Sequence, residues 1–277
     1  PLYSPDSKTL AYLVWDEAGK KIKLGILEKG VAPVSAKIIA ELATAQKAPE
    51  QRADIDYREG YFFPLLMWAL DGKSIYFLRQ NVKKIECGAV SVPSGEIKIL
   101  GQVDMPENYL PRQFQFGPGG KIVVSFFFSN MSKGKELPSI EGQPLAIFDP
   151  VGGEVQRTAK PYRSVYPMPD GKASLAIMPE EIWKLNDKHE PTEKVFSAKD
   201  PVDVKKILFA GKEIIVVTRP DIIMHDGNYY LLRDHKLVDF LKSSEAFKQM
   251  AALPDGRLLW SVHSETKKKA VARASVF

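Results

Sequence analysis

The sequence predicts an all-β chain: a six-bladed β-propeller of four-stranded antiparallel blades, in one domain over residues 1–277. The first observation is a turn phrase followed by an apolar run, as where Ser4-Pro5-Asp6-Ser7-Lys8 precedes Thr9-Leu10-Ala11-Tyr12-Leu13-Val14. The phrase returns at Leu70-Asp71-Gly72-Lys73, Pro118-Gly119-Gly120-Lys121, Pro169-Asp170-Gly171-Lys172, Ala210-Gly211-Lys212 and Pro254-Asp255-Gly256-Arg257. Proline presets φ for the first corner of a turn and Asp or Gly suits the second, so each phrase joins two antiparallel strands. The second observation is spacing. Counted between their basic residues, from Lys8 to Arg257, successive copies stand 65, 48, 51, 40 and 45 residues apart. One four-stranded blade takes roughly 40–50 residues. A single sheet of that kind cannot bury both faces, so the units must stack. A sandwich with coincidental turns is the alternative, and six phased copies weigh against it.

The blades fall at 1–42, 62–100, 111–159, 162–197, 202–241 and 247–277. In the first, Leu2-Tyr3 closes an inner strand, with Lys8–Trp15, Ile22–Leu27 and Ala36–Leu42 outside it. The Ala/Gln/Pro/Glu-rich stretch Ala43–Gly60 is a long connection that explains the oversized first spacing. Blade two runs through Phe62–Ala69, Lys73–Arg79, Lys84–Val90 and Glu96–Leu100. Blade three starts near Pro111, and its second strand, Ile122–Phe128, precedes the polar loop Ser129–Gln143. Alternation along Ile122–Phe128 is poor, as expected for a strand covered on both faces. Its last strands are Pro144–Asp149 and Glu154–Thr158. Blade four is compact, and blade five carries an insertion at Arg219–Asn228. Blade six begins near Phe247, with a short helix over Lys242–Met250 as the competing reading. It ends one outer strand short: either the natural chain continues, which is the expectation, or the strand phase is shifted by one.

Composition is that of an ordinary globular chain, with 44% hydrophobic and 26% charged residues. The net charge of +5 is mild and scattered, and no basic stripe or recognised module accompanies it, so nucleic acid is not an expected partner. No window approaches the roughly 18 apolar residues of a membrane span. Cys87 is alone, which excludes an intrachain disulfide and leaves the compartment open.

No catalytic constellation can be assembled. There is no Gly-x-Ser-x-Gly elbow, and Cys87 lies inside an apolar strand, where a small core role is expected. His189, His225, His235 and His263 show no paired ligand spacing. Asp54-Ile55-Asp56 with Glu59 lacks the full oxygen set of a calcium loop. The glycine pairs at Gly119-Gly120 and Gly152-Gly153 precede strands, so no helix N-terminus is offered to a phosphate. Neither metal nor cofactor is expected.

A binding surface remains. Connections between blades, and those between second and third strands, share one rim. There the sequence gathers Tyr57, Arg58 and Tyr61, then Asn108 and Tyr109, Tyr162 and Arg163, and finally Arg219 and His225. Aromatic residues and arginine most often anchor interfaces. Packing of the tyrosines between blades is the competing reading for each. A small ligand in the central channel is also compatible with the architecture.

The phrase Ser-Pro-Asp-Gly-Lys before an apolar strand resembles the TolB-like, or Pro-Asp-type, β-propeller repeat. Ser4–Lys8, Leu70–Lys73, Pro169–Lys172 and Pro254–Arg257 carry it best, with degraded copies at Pro118–Lys121 and Ala210–Lys212. The resemblance implies a periplasmic or extracellular protein that binds another protein or a peptide without catalysis. The runner-up that it implies is a propeller that gates substrates for a larger hydrolase or peptidase, whose catalytic domain this chain lacks.

Overall fold

The structure is a computed structural model. It describes residues 2–16, 18, 20–30, 37–44, 64–81, 84–105, 109–128, 143–178, 180–198, 204–218, 228–241, 247–252, 258–263 and 270–275. These fold almost wholly into antiparallel strands, with one 3-10 turn at Pro118–Gly120. They pack as two compact units, the first formed mainly by residues up to Pro161 and the second mainly by Tyr162–Phe277.

Three four-stranded sheets make the first unit. Sheet one holds β1 (Leu2–Tyr3), β2 (Thr9–Asp16), β3 (Lys21–Glu28) and β4 (Lys37–Thr44) in sequence order. Sheet two holds β5 (Leu65–Trp68), β6 (Ser74–Asn81), β7 (Lys84–Ser91) and β8 (Ile97–Asp104). Sheet three holds β9 (Tyr109–Phe116), β10 (Ile122–Phe128), β11 (Gln143–Phe148) and β12 (Val155–Tyr162). In the second unit, sheet four is β13 (Ser164–Pro167), β14 (Ser174–Ile177), β15 (Glu181–Leu185) and β16 (Pro191–Ser197). Sheet five is β17 (Val204–Ala210), β18 (Glu213–Thr218), β19 (Asn228–Arg233) and β20 (Lys236–Leu241). The last sheet has three strands among the described residues, β21 (Phe247–Ala252), β22 (Leu258–His263) and β23 (Ala270–Ser275). Five sheets are therefore four-stranded as expected. The helical alternative for Lys242–Met250 is corrected over its described part, because Phe247–Met250 belongs to β21 and pairs with β22.

The repeated phrase is a repeated hydrogen-bond pattern. The Ser7, Gly72 and Gly171 N–H groups donate to the Ser4, Ala69 and Met168 carbonyls at 2.8, 3.0 and 2.9 Å. One residue earlier, Asp6, Asp71 and Asp170 each accept, through Oδ1, the N–H two residues on at 3.1, 2.9 and 3.0 Å. This carboxylate-to-backbone bond is why Asp stands there. The residue after it is left-handed, with φ of 67° at Gly72 and Gly171 and 58° at Ser7. Glycine takes that conformation without steric cost, and serine does not.

The core lies between stacked sheets. Ala11, Leu24 and Leu42 of sheet one meet Trp68, Ile75, Phe77 and Val90 of sheet two. The far face of sheet two, with Leu78, Ile85 and Cys87, packs on Ile122, Val124, Phe126 and Phe148 of sheet three. In the second unit, Leu175, Ile177 and Ile182 pack on Val204, Ile207 and Val216. Each fully buried Val, Leu, Ile or Phe side chain among them contributes about 1.5–3 kcal/mol. Arginines also tie neighbouring sheets. The Arg79 guanidinium, 5.6 Å above the Phe77 ring, donates to the Leu42 carbonyl on β4. The Arg157 guanidinium, 5.6 Å above Phe126, donates to the Asp104 carbonyl at the end of β8.

A second repeat emerges from the register. Tyr12 and Phe77 each stand four residues after the basic residue of their turn, directly opposite Gly25 and Gly88. Both rings occupy the space that a Cβ on the facing glycine would need, with Tyr12 Cζ 2.6 Å from such a position on Gly25.

Candidate functional site

Of the residues expected to form the rim, Tyr57, Arg58, Tyr61, Asn108, Arg219 and His225 lie outside the described residues. Tyr109 opens β9, its backbone paired opposite Phe128. Its side chain also lies outside the described set. Tyr162 and Arg163 are placed, and they differ. Tyr162 is 1% exposed, its hydroxyl 3.5 Å from the His189 carbonyl, to which it donates. Burial raises the Tyr162 phenol, with Glu190 adding in the same sense. Tyr162 thus fills the interior of the second unit, and its reading as an exposed anchor is corrected in favour of packing. The phenol end buries well only with an acceptor in reach, which the turn carbonyl supplies. Arg163 lies between β12 and β13, half-buried and engaged by neighbours, and its backbone N–H holds the Ile177 carbonyl at 2.9 Å. The described residues bring no group of rim side chains together.

Cys87, His189 and His235 each have a structural setting. Cys87 is fully buried and free, and its thiol is pushed up to about 12 by burial, with Glu86 adding to the rise. A thiol so protonated at neutral pH is no nucleophile. His189 is 2% exposed and sits at a positive φ of 61°. The turn that holds it is closed by Asn186, whose carbonyl accepts the His189 N–H at 3.0 Å. The Asn186 side-chain oxygen accepts the Lys188 and Glu190 N–H groups at 2.9 Å. His235 occupies a two-residue hairpin turn, Asp234-His235, with φ of 48° and 61°. Its Nδ1 lies 3.2 Å from the Val195 carbonyl, which ties the turn to β16. Among the described residues no three metal-ligating side chains cluster.

One feature escaped the sequence reading. On sheet one a cleft of about 510 Å3 opens beside the first turn phrase, lined chiefly by Tyr3, Ser7, Lys8, Leu10, Leu27 and Lys29. The signal was present only as register: Lys8 and Lys29 meet just beyond the paired ends of β2 and β3, which single-strand patterns do not reveal.

No family model matches the chain, and no curated protein matches it. Solved structures do. The chain aligns over 99% of its length with the β-propeller domain of the trilobed protease from Pyrococcus furiosus, at TM-score 0.57 and 14% identity, covering 80% of that chain. The fold is that of a β-propeller. A prolyl endopeptidase matches at TM-score 0.62 and 11% identity, again over 99% of this propeller chain. An acylaminoacyl peptidase, solved with a chloromethyl ketone, matches at TM-score 0.57 and 13% identity over the same share. The propeller chain spans only 41% and 43% of those two peptidases. At such identities the likeness concerns the fold alone.

Proposed function

We propose that the six sheets are the six blades of one TolB-like propeller domain, a non-enzymatic scaffold that recognises another protein or a peptide through its loop rim. The observation that carries this reading is how the described side chains are employed. Central strands are buried almost throughout, as at Ile122, Val124, Leu145, Ala176, Ile215 and Val216. Cys87, Tyr162 and His189 are drawn inside with them. Recognition then falls to the long connections, since loops on a rigid scaffold commonly carry function. Tyr57, Arg58, Tyr61, Tyr109, Arg163, Arg219 and His225 are the residues proposed to anchor the partner. The repeat resemblance also favours a periplasmic or extracellular location.

The test is peptide display on the immobilised chain, followed by titration of the enriched sequences. Replacing Tyr57, Arg58, Tyr61 and Arg219 by Ala should weaken the selected peptides by about tenfold or more without moving Tm. Absence of enrichment, or unchanged affinity in the variant, overturns the reading.

One observation favours a second reading, a propeller that gates substrates for a hydrolase: two of the matching structures are peptidases more than twice as long as this chain. The intact mass of the native protein, with both ends sequenced, decides it. A mass larger by a whole domain supports the gate, and a mass near 31.0 kDa refutes it.

A further inference from the structure

Ala11, Leu13, Leu24 and Ile26 turn one face of sheet one toward sheet two. The alternate residues therefore form the opposite face. On it Leu10 stands opposite Leu27, and Tyr3 of β1 stands opposite Leu10. One pair further toward the turn, beyond Thr9 and Glu28, Lys8 meets Lys29, the Lys29 N–H donating to the Lys8 carbonyl at 2.7 Å. Two like charges directly opposite each other in a strand pair repel. Among the described residues the only carboxylate ion-paired with Lys8 is Asp6, at 3.8 Å and well exposed, and Lys29 pairs with none. An exposed pair at that distance compensates little. Lys8 and Lys29 thus both line a cleft of about 510 Å3, together with the apolar Leu10 and Leu27 and with Tyr3. That volume is in the range that holds a small ligand or a peptide end.

We propose that this cleft binds the free carboxyl end of a peptide whose last side chain is apolar. The carboxylate sits between Lys8 and Lys29, which supply charge-assisted hydrogen bonds to it. The side chain lies on Leu10, Leu27 and Tyr3. Glu28 also lines the cleft, and at the intervening register position it belongs to the face turned toward sheet two. The cleft does not use the loop rim, and its success or failure is separable from the rim's.

The experiment is calorimetric titration of the whole chain with N-acetyl-Gly-Ala-Leu as the free acid, beside its C-terminal amide and octanoate. The acid is expected to bind about tenfold or more tightly than the amide, the size of a lost charge-assisted contact. Lys8→Met with Lys29→Met should bring the acid down to the amide's affinity with Tm unchanged, whereas the rim variant retains it. Equal binding of acid and amide, octanoate as tight as the peptide, or no heat at millimolar peptide each overturns the proposal.

Discussion

Phe77 and Gly88 face each other across β6 and β7, and the ring fills the place of the missing side chain. In Gly88→Ala the new Cβ would collide with Phe77 Cζ and Cε1 and stand 3.1 Å from the Lys98 carbonyl. The ring cannot retreat, because Phe77 is fully buried in the core shared with sheet one. Overpacking of this kind costs about 1–3 kcal/mol, and the entropy gained by removing a strand glycine offsets only about 0.5–1 kcal/mol of it. Phe77→Ala alone opens a cavity and costs about 3–5 kcal/mol. The double variant should cost less than the two together by about 1–3 kcal/mol, because the methyl introduced by Gly88→Ala then occupies space the ring has vacated. Urea denaturation followed by tryptophan fluorescence, to which Trp68 of the same core contributes, reads the cycle. Additivity within about 0.5 kcal/mol would refute the claim that the ring and the glycine form one packing unit.

Three other outcomes follow from the structure. Arg157→Met should destabilise by about 1 kcal/mol, because the Asp104 carbonyl loses its donor, and Arg157→Lys should not restore it, lacking the planar fork; thermal unfolding checks both. Cys87 should resist iodoacetamide at pH 8 in the native protein and react fully in guanidinium, as read by mass spectrometry; rapid native alkylation would contradict its burial. Asp149 is held below its ordinary value of 3.8 by the Gly152 and Val151 N–H groups, and Asp6 by the Ser4 hydroxyl and the Lys8 N–H. Being depressed in the folded state, both contribute stability that is present above pH 3.8 and lost as the pH falls through their folded values. Asp149→Asn should flatten the acid side of the stability profile, measured as the urea midpoint against pH.

The turns were legible because their chemistry is local: a proline, a carboxylate and a left-handed position suffice, and all three sit within one short phrase. Strand ends were less so. β8 runs to Asp104 and β12 to Tyr162, beyond the stops that the sequence suggested at Leu100 and Thr158. Backbone pairing such as Lys84 with Asp104 continues whatever the side-chain polarity. The Phe77–Gly88 and Lys8–Lys29 juxtapositions depend on register between strands, which one strand's pattern does not encode. Tyr162 was read as an anchor because a tyrosine before a strand looks the same whether it meets solvent or the His189 carbonyl.

The central claim is recognition through the loop rim. Fluorescence-anisotropy titration of display-enriched peptides against the wild-type chain and the Tyr57, Arg58, Tyr61 and Arg219 alanine variant tests it most directly. The account predicts saturable micromolar binding that weakens by about tenfold or more in a variant of unchanged Tm. Equal affinities for the two proteins would contradict it.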